Sequence, residues 1–172
     1  MKDQVLKKKL RERMKKDSGF LVTAYPQLYR ETINKMIEPF NKKDFDKIMS
    51  PEMKGMFFGP TIAYKWNLPF ISIIKKGRVP EEFVLSKSYV DYSKKRKTLQ
   101  IAKITINKGD KIFLVDDVFD SGESGKAIIE MIEKLGGEVK GISIIYNKMT
   151  KEEENFFNKY NFNYLVRMKK GG

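Results

Sequence analysis

From residue 26 onward the apolar positions switch repeatedly between a helical and an extended period. Leu28, Ile33, Met36, Ile37 and Phe40 recur at helical spacing behind Pro26, which predicts a helix to about Phe40. Asp46 to Met49 reads as a short strand, and Ser50 to Gly55 as a loop. A helix follows from near Gly59 to Trp66, with Ile62, Ala63 and Trp66 facing inward. Pro69 to Ile74 is a strongly apolar strand that ends in a basic turn, Lys75 to Pro80. Residues 81–97 have no clear period and read as a loop, whereas Thr98 to Ile106 alternates as a strand does. Lys111 to Val115 is a further strand, Gly125 to Leu135 its helix, and Gly136-Gly137 the stop. Val139 to Tyr146 is extended. Thr150 with Glu153 forms a capping-box pattern that opens a helix to about Tyr160, and Phe162 to Val166 closes the pattern as a strand.

Ahead of this series stands a basic helical stretch, residues 2–16, with one narrow apolar stripe of Val5, Leu6, Leu10 and Met14. Ser18-Gly19 breaks it, and Phe20 to Ala24 reads as a short extended segment. The chain therefore divides into an N-terminal basic arm, 1–18, and one domain, 19–172. Strands alternating with helices argue for an α/β fold with a largely parallel sheet flanked by helices. Ligands of such sheets sit at the carboxyl ends of the strands. The Ser50–Gly55 loop, the Lys75–Arg78 turn and the loop holding Asp116 and Asp117 all follow strands, so they should converge on one edge.

Composition narrows the chemistry. With neither cysteine nor histidine in 172 residues, disulfides, thiolate metal sites and nucleophile–histidine catalysis are excluded. Acid–base work falls to Asp, Glu, Lys or Tyr. No apolar run reaches membrane-spanning length, and the N-terminus lacks the apolar core of a signal peptide, so a cytoplasmic protein is expected and no membrane partner. Lys and Arg number 35 against 22 acids, a net charge of +13. Such a field attracts nucleic acid or a small polyphosphate, and a generally lysine-rich surface accounts for it equally well.

The richest stretch is Lys111 to Gly125: a buried strand, Asp116-Asp117, a polar turn, and a helix start. Free N–H groups and partial positive charge at a helix N-terminus suit a phosphate. Ser121, Gly122, Ser124 and Gly125 add hydroxyl donors and close backbone approach. Asp116 and Asp117 suit the hydroxyls of the same ligand and can help hold a divalent cation. One phosphate plus vicinal hydroxyls describes a ribose 5-phosphate. The plainer alternative is a strand–turn–helix whose acids cap the helix.

Val115-Asp-Asp-Val-Phe-Asp-Ser-Gly-Glu-Ser124 resembles the phosphoribosyl-diphosphate (PRPP) loop of the type I phosphoribosyltransferases. A second block is similar to the adenine members of that family. It runs Glu52-Met-Lys-Gly-Met-Phe-Phe-Gly-Pro60, Ala63, Leu68-Pro-Phe70 and Lys75-Lys-Gly-Arg-Val-Pro80. Ser88-Tyr89 and Asp91-Tyr92 resemble the Ser-Tyr and Glu-Tyr pairs of that family's mobile loop. The resemblance spans roughly residues 44–147 and implies the type I fold, with a mobile loop and a reduced hood. It implies purine salvage: transfer of ribose 5-phosphate from PRPP to a purine base, with release of diphosphate in the presence of Mg2+. Asp116, Asp117, Asp120, Ser121, Gly122, Glu123 and Ser124 would hold the ribose phosphate. Glu52, Met53, Lys54, Gly55, Lys75, Lys76 and Arg78 would hold the diphosphate, with a strained, often cis, peptide near Glu52-Met53. Asp120, Asp91 and Tyr92 would take catalytic roles, Mg2+ would arrive with PRPP beside Asp116 and Asp117, and the assembly would be a homodimer.

Some positions depart from the adenine pattern. Lys54 stands for an arginine, Ile74 replaces one of a pair of cations, and Glu123 replaces a glycine of the phosphate turn, where its carboxylate must point away from phosphate. The mobile loop is one residue shorter, and the N-terminal region lacks the Asp-Phe-Pro segment of the adenine hood. Asp120 is an acid where adenine enzymes carry a small residue and where hypoxanthine–guanine enzymes carry aspartate. Three functions therefore remain open: an adenine enzyme by overall similarity, a 6-oxopurine enzyme by Asp120, and a PRPP-binding regulator of nucleic acid by charge. Asp120 itself either faces the base or caps the helix.

Overall fold

The computed structural model describes residues 2–17, 20–91 and 93–169. They form a seven-stranded sheet in the order β3-β4-β2-β1-β5-β6-β7. The strands are β1 (Lys47–Pro51), β2 (Phe70–Lys75), β3 (Val84–Val90), β4 (Arg96–Ala102), β5 (Lys111–Phe119), β6 (Glu138–Asn147) and β7 (Phe162–Arg167). β2, β1, β5, β6 and β7 are parallel neighbours, while β3 and β4 form an antiparallel hairpin at the β2 edge.

The helices are α1 (Lys2–Asp17), α2 (Pro26–Ile37), α3 (Gly59–Trp66), α4 (Glu123–Lys134) and α5 (Lys151–Asn155). α1, α2 and α3 cover one face, where Leu10, Met36, Trp66, Phe113 and Val115 share a core. Trp66 stacks on Phe45 at 5.7 Å and meets Phe113 at 5.1 Å. α4 covers the other face, with Ile128, Ile129, Met131 and Ile132 packed on Ile112, Leu114 and Ile144. Both faces of β5 are thus buried, which is why its run is continuously apolar up to the acids. Asp110 at its start is held by Lys47 at 2.6 Å.

The predicted punctuation is borne out. Thr150 and Glu153 form the capping box of α5. α4 ends in a Schellman arrangement, with Gly136 N–H donating to the Glu133 carbonyl and Gly137 N–H to that of Ile132, both at 3.0 Å. α1 docks through Leu6 and Leu10, and Tyr146, next to last in β6, donates its hydroxyl to the Leu10 carbonyl at 3.0 Å.

Five expectations are corrected. Phe20–Ala24 is a 3-10 turn, not an extended segment, because Val22 must turn inward to be buried. Residues 81–97 are not a loop but a 3-10 turn and most of the β3–β4 hairpin, whose alternation is masked because Ser occupies one face and Lys and Tyr the other. β4 ends at Ala102, where Lys103–Thr105 turns as a 3-10 helix. Asp116 and Asp117 belong to β5 itself, since pairing with β6 continues to Phe119. The helix after Thr150 stops at Asn155, and Asn158–Tyr160 is a separate 3-10 turn. The break at Ser18-Gly19 lies outside the described residues.

Candidate active site

The carboxyl ends of β1, β2 and β5 open into one cleft of about 610 Å³. Its lining includes Glu52, Met53 and Lys54 after β1, Lys75 and Lys76 at the end of β2, Asp116 and Asp117 in β5, and Ser124 in α4. Parallel pairing of β2, β1 and β5 sets these segments side by side, as the topology predicted.

The β1 loop is tightly built. The Glu52–Met53 peptide is cis, at the bond that the resemblance singled out. Glu52 accepts from the Lys75 backbone N–H at 3.0 Å and pairs with Arg78 at 3.2 Å, so one side chain ties two walls together. The Lys75 hydrogen bond, with the Arg78 charge behind it, holds the Glu52 carboxyl below its ordinary range. Gly55 is buried beneath the cleft floor, against Asp116.

Asp116 and Asp117 are both buried, and the Asp117 N–H donates to Asp116 Oδ1 at 2.8 Å. Burial, and then the neighbouring Asp117 charge, pushes the Asp116 carboxyl well above the usual carboxylate range. Burial raises Asp117 as well, opposed by Lys54, whose ammonium stands 3.8 Å away. Two acids short of countercharge, opening into a cleft lined by lysines, are poised to take hydroxyl donors or a cation. Among the described residues no group of three or more acidic side chains could hold a metal by itself. The donor set fits a hard cation that brings its own oxygen ligands.

The turn after β5 brings Gly122 to φ +78°, and a β-carbon there would meet Met149 Sδ and the Phe157 ring at 2.7 Å. Gly122 is also the N-cap of α4, and among the described residues no side chain caps that helix. Its first N–H groups are therefore left without a side-chain partner, as anion binding requires. Ser121, Gly122 and Glu123 sit in this turn beside the cleft, and only Ser124 of the group lines it.

Other expected residues are placed differently. Asp120 does not cap α4; its carboxylate stands 3.6 Å from the Lys148 ammonium. Arg78 is absent from the cleft lining and is engaged by Glu52. Asp91 builds the hairpin turn and is absent from the cleft lining. It accepts from Ser93 N at 2.9 Å, Ser93 Oγ at 2.6 Å and Lys95 N at 3.1 Å, and pairs with Lys97 at 2.5 Å. Lys97 and then Ser93 hold its carboxyl well below the usual range. Tyr92 lies outside the described residues. Sequence reasoning missed Lys97, Thr98, Leu99 and Val118, all on the cleft wall. For Lys97, Thr98 and Leu99 the signal was the antiparallel register of β3 and β4, hidden because the hairpin read as a loop, whereas Val118 lies in the part of β5 beyond the expected strand end.

Residues 22–167 match the family model described as a phosphoribosyl transferase domain. The chain belongs to this family. An adenine phosphoribosyltransferase of Clostridium botulinum is 35% identical over 136 residues, 79% of this chain and 78% of the relative. That of Pseudothermotoga lettingae is 41% identical over 116 residues, 67% of each chain. The solved adenine phosphoribosyltransferase of Rhodothermus marinus superposes with a TM-score of 0.77 at 25% identity, covering 86% of this chain and 83% of that one. In this phosphoribosyl transferase domain the matched span takes in the whole cleft and leaves α1 outside it. No helix among the described residues is long and apolar enough to cross a membrane.

Proposed function

We propose that this protein transfers ribose 5-phosphate from PRPP to adenine, releasing AMP and diphosphate. The observation that carries the reading is the meeting, in one cleft, of the Asp116–Asp117 pair, the four lysines Lys54, Lys75, Lys76 and Lys97, and the N-terminus of α4 with its glycine N-cap. The similarity to adenine phosphoribosyltransferases supports adenine as the base.

Each group has a physical task. The backbone N–H groups and hydroxyls of Ser121 to Ser124 hold the 5-phosphate. Asp116 and Asp117 accept from the ribose hydroxyls, which relieves two carboxylates buried side by side. Lys54, Lys75 and Lys76 neutralise diphosphate as it departs, stabilising charge that develops in the transition state. Mg2+ bound with PRPP beside Asp116 and Asp117 would add to that neutralisation. Glu52 keeps the walls formed after β1 and β2 at a fixed separation. Tyr89, half-buried on the cleft wall, helps shield the activated sugar from water.

Asp120 favours a second reading, a 6-oxopurine substrate. Its carboxylate is not spent on capping α4, and it faces Lys148, so it remains available for a ring N–H. Incubation with PRPP, Mg2+ and adenine, hypoxanthine or guanine decides between them. AMP formation supports the first reading, and exclusive turnover of hypoxanthine or guanine supports the second.

A further inference from the structure

Glu123 is the one acid within Ser121 to Ser124, the segment proposed to hold phosphate. It is the first residue of α4, directly after Gly122 and directly before the cleft-lining Ser124. A carboxylate there gains from the helix N-terminus on its own account, and so competes with phosphate for the same partial charge. Left to rotate, it would bring a like charge to the phosphate position.

The side chain is not left to rotate. Lys126, one turn on, binds the Glu123 carboxylate at 2.8 Å. The Lys126 ammonium in turn lies 5.6 Å from the centre of the Phe156 ring. Phe156 is itself fixed against Phe157 and Tyr160, at 5.1 and 5.8 Å between ring centres. Glu123, Lys126 and Phe156 are all absent from the cleft lining, whereas Ser124 is on it. The carboxylate is therefore tethered to the aromatic cluster behind the turn.

We infer that Lys126 is a positioning residue that holds the Glu123 carboxylate off the phosphate turn, so that this acid-bearing turn still accepts the 5-phosphate of PRPP. The inference rests on the reading of the turn as a phosphate site. A partly exposed i,i+3 pair of this kind contributes little to stability, so its effect belongs to binding and not to folding. The reacting carbon of the sugar lies at the other end of the ribose from the 5-phosphate, so KM for PRPP responds and kcat does not.

Three variants test this: Lys126→Met, which keeps the stem over Phe156, Glu123→Gln, and the double variant. Steady-state kinetics with PRPP and PRPP titration calorimetry are the readouts, with Tm confirming that each variant folds. Lys126→Met should raise KM for PRPP about three- to ten-fold, the size expected for one like charge near a phosphate in a partly solvated setting. Glu123→Gln should lower KM, because the freed ammonium then adds to the turn. The double variant should return to within about two-fold of wild type, the partly solvated setting leaving little other coupling. A double variant as impaired as Lys126→Met, or a single variant with no change in KM, overturns the inference. Wild-type protein that binds no PRPP in calorimetry overturns the phosphate-site reading itself, and the two failures are thereby distinguished.

Discussion

Gly55 lies against Asp116: a β-carbon on Gly55 would stand 2.9 Å from Asp116 Oδ1, and as close to Pro51 Cδ. The Val115 carbonyl, a backbone atom, would be only 3.2 Å away. Nothing in this floor moves cheaply. Gly55→Ala should therefore displace the Asp116 carboxylate, destabilise the fold by about 1–3 kcal/mol as overpacking does, and cut PRPP turnover at least about ten-fold, since about 1.4 kcal/mol lost at the site is enough for that. Thermal unfolding and initial rates check both effects. A variant with wild-type kinetics would remove Asp116 from the site.

Asp116 carries a cost of its own in the ligand-free protein. It is buried, its neighbour is another acid, and its proton is held well above the usual carboxylate range. A native state that keeps a proton the unfolded chain releases loses stability as pH rises above the unfolded pKa. Asp116→Asn should raise Tm at neutral pH, with a gain that shrinks as pH falls toward 4, while sugar binding is lost. Calorimetric unfolding of both proteins across that range reads the sign directly.

Lys54 is the cation nearest the acid pair, 3.8 Å from Asp117. Lys54→Met should weaken PRPP by about 1.5–3 kcal/mol, the worth of a charge-assisted hydrogen bond, or roughly ten- to 150-fold in Kd. It should also push the Asp117 carboxyl further up, because the group that opposes burial is gone. Calorimetric titration with PRPP provides the check.

The aromatic support behind the Gly122 turn depends on α5 through Phe157, which sits 5.0 Å from Phe119. Thr150→Ala removes the capping box and should cost about 1 kcal/mol of stability. Because Thr150 lies outside the cleft, PRPP turnover below the melting range should stay at the wild-type rate. Denaturant unfolding beside kinetics measures both.

How much of this was legible in the chain follows from where each signal resides. The β5 run, the Thr150–Glu153 cap and the Gly136-Gly137 stop are local, so sequence alone located them. The Asp116–Asp117 pair and the glycine turn stood out for the same reason. The hairpin did not, because one strand face carries Ser86 and Ser88, and the other Lys87 and Lys97, where a buried strand would carry apolar residues. Asp91, a candidate site residue in sequence, is engaged in the hairpin turn, an engagement visible only once Ser93, Lys95 and Lys97 fold back onto it. Asp120 shows the same limit from the other side. Its neighbour Lys148 is 28 positions away in sequence and reaches it only because β6 runs parallel beside β5.

The central claim is PRPP-dependent transfer to adenine, and the most direct measurement is an initial-rate assay of purified protein with PRPP, Mg2+ and adenine, following AMP and diphosphate together. Equimolar appearance of both, dependent on adenine and abolished by Asp116→Asn, is the predicted result. No AMP under conditions that turn over hypoxanthine or guanine, or no consumption of PRPP with any of the three bases, would contradict it.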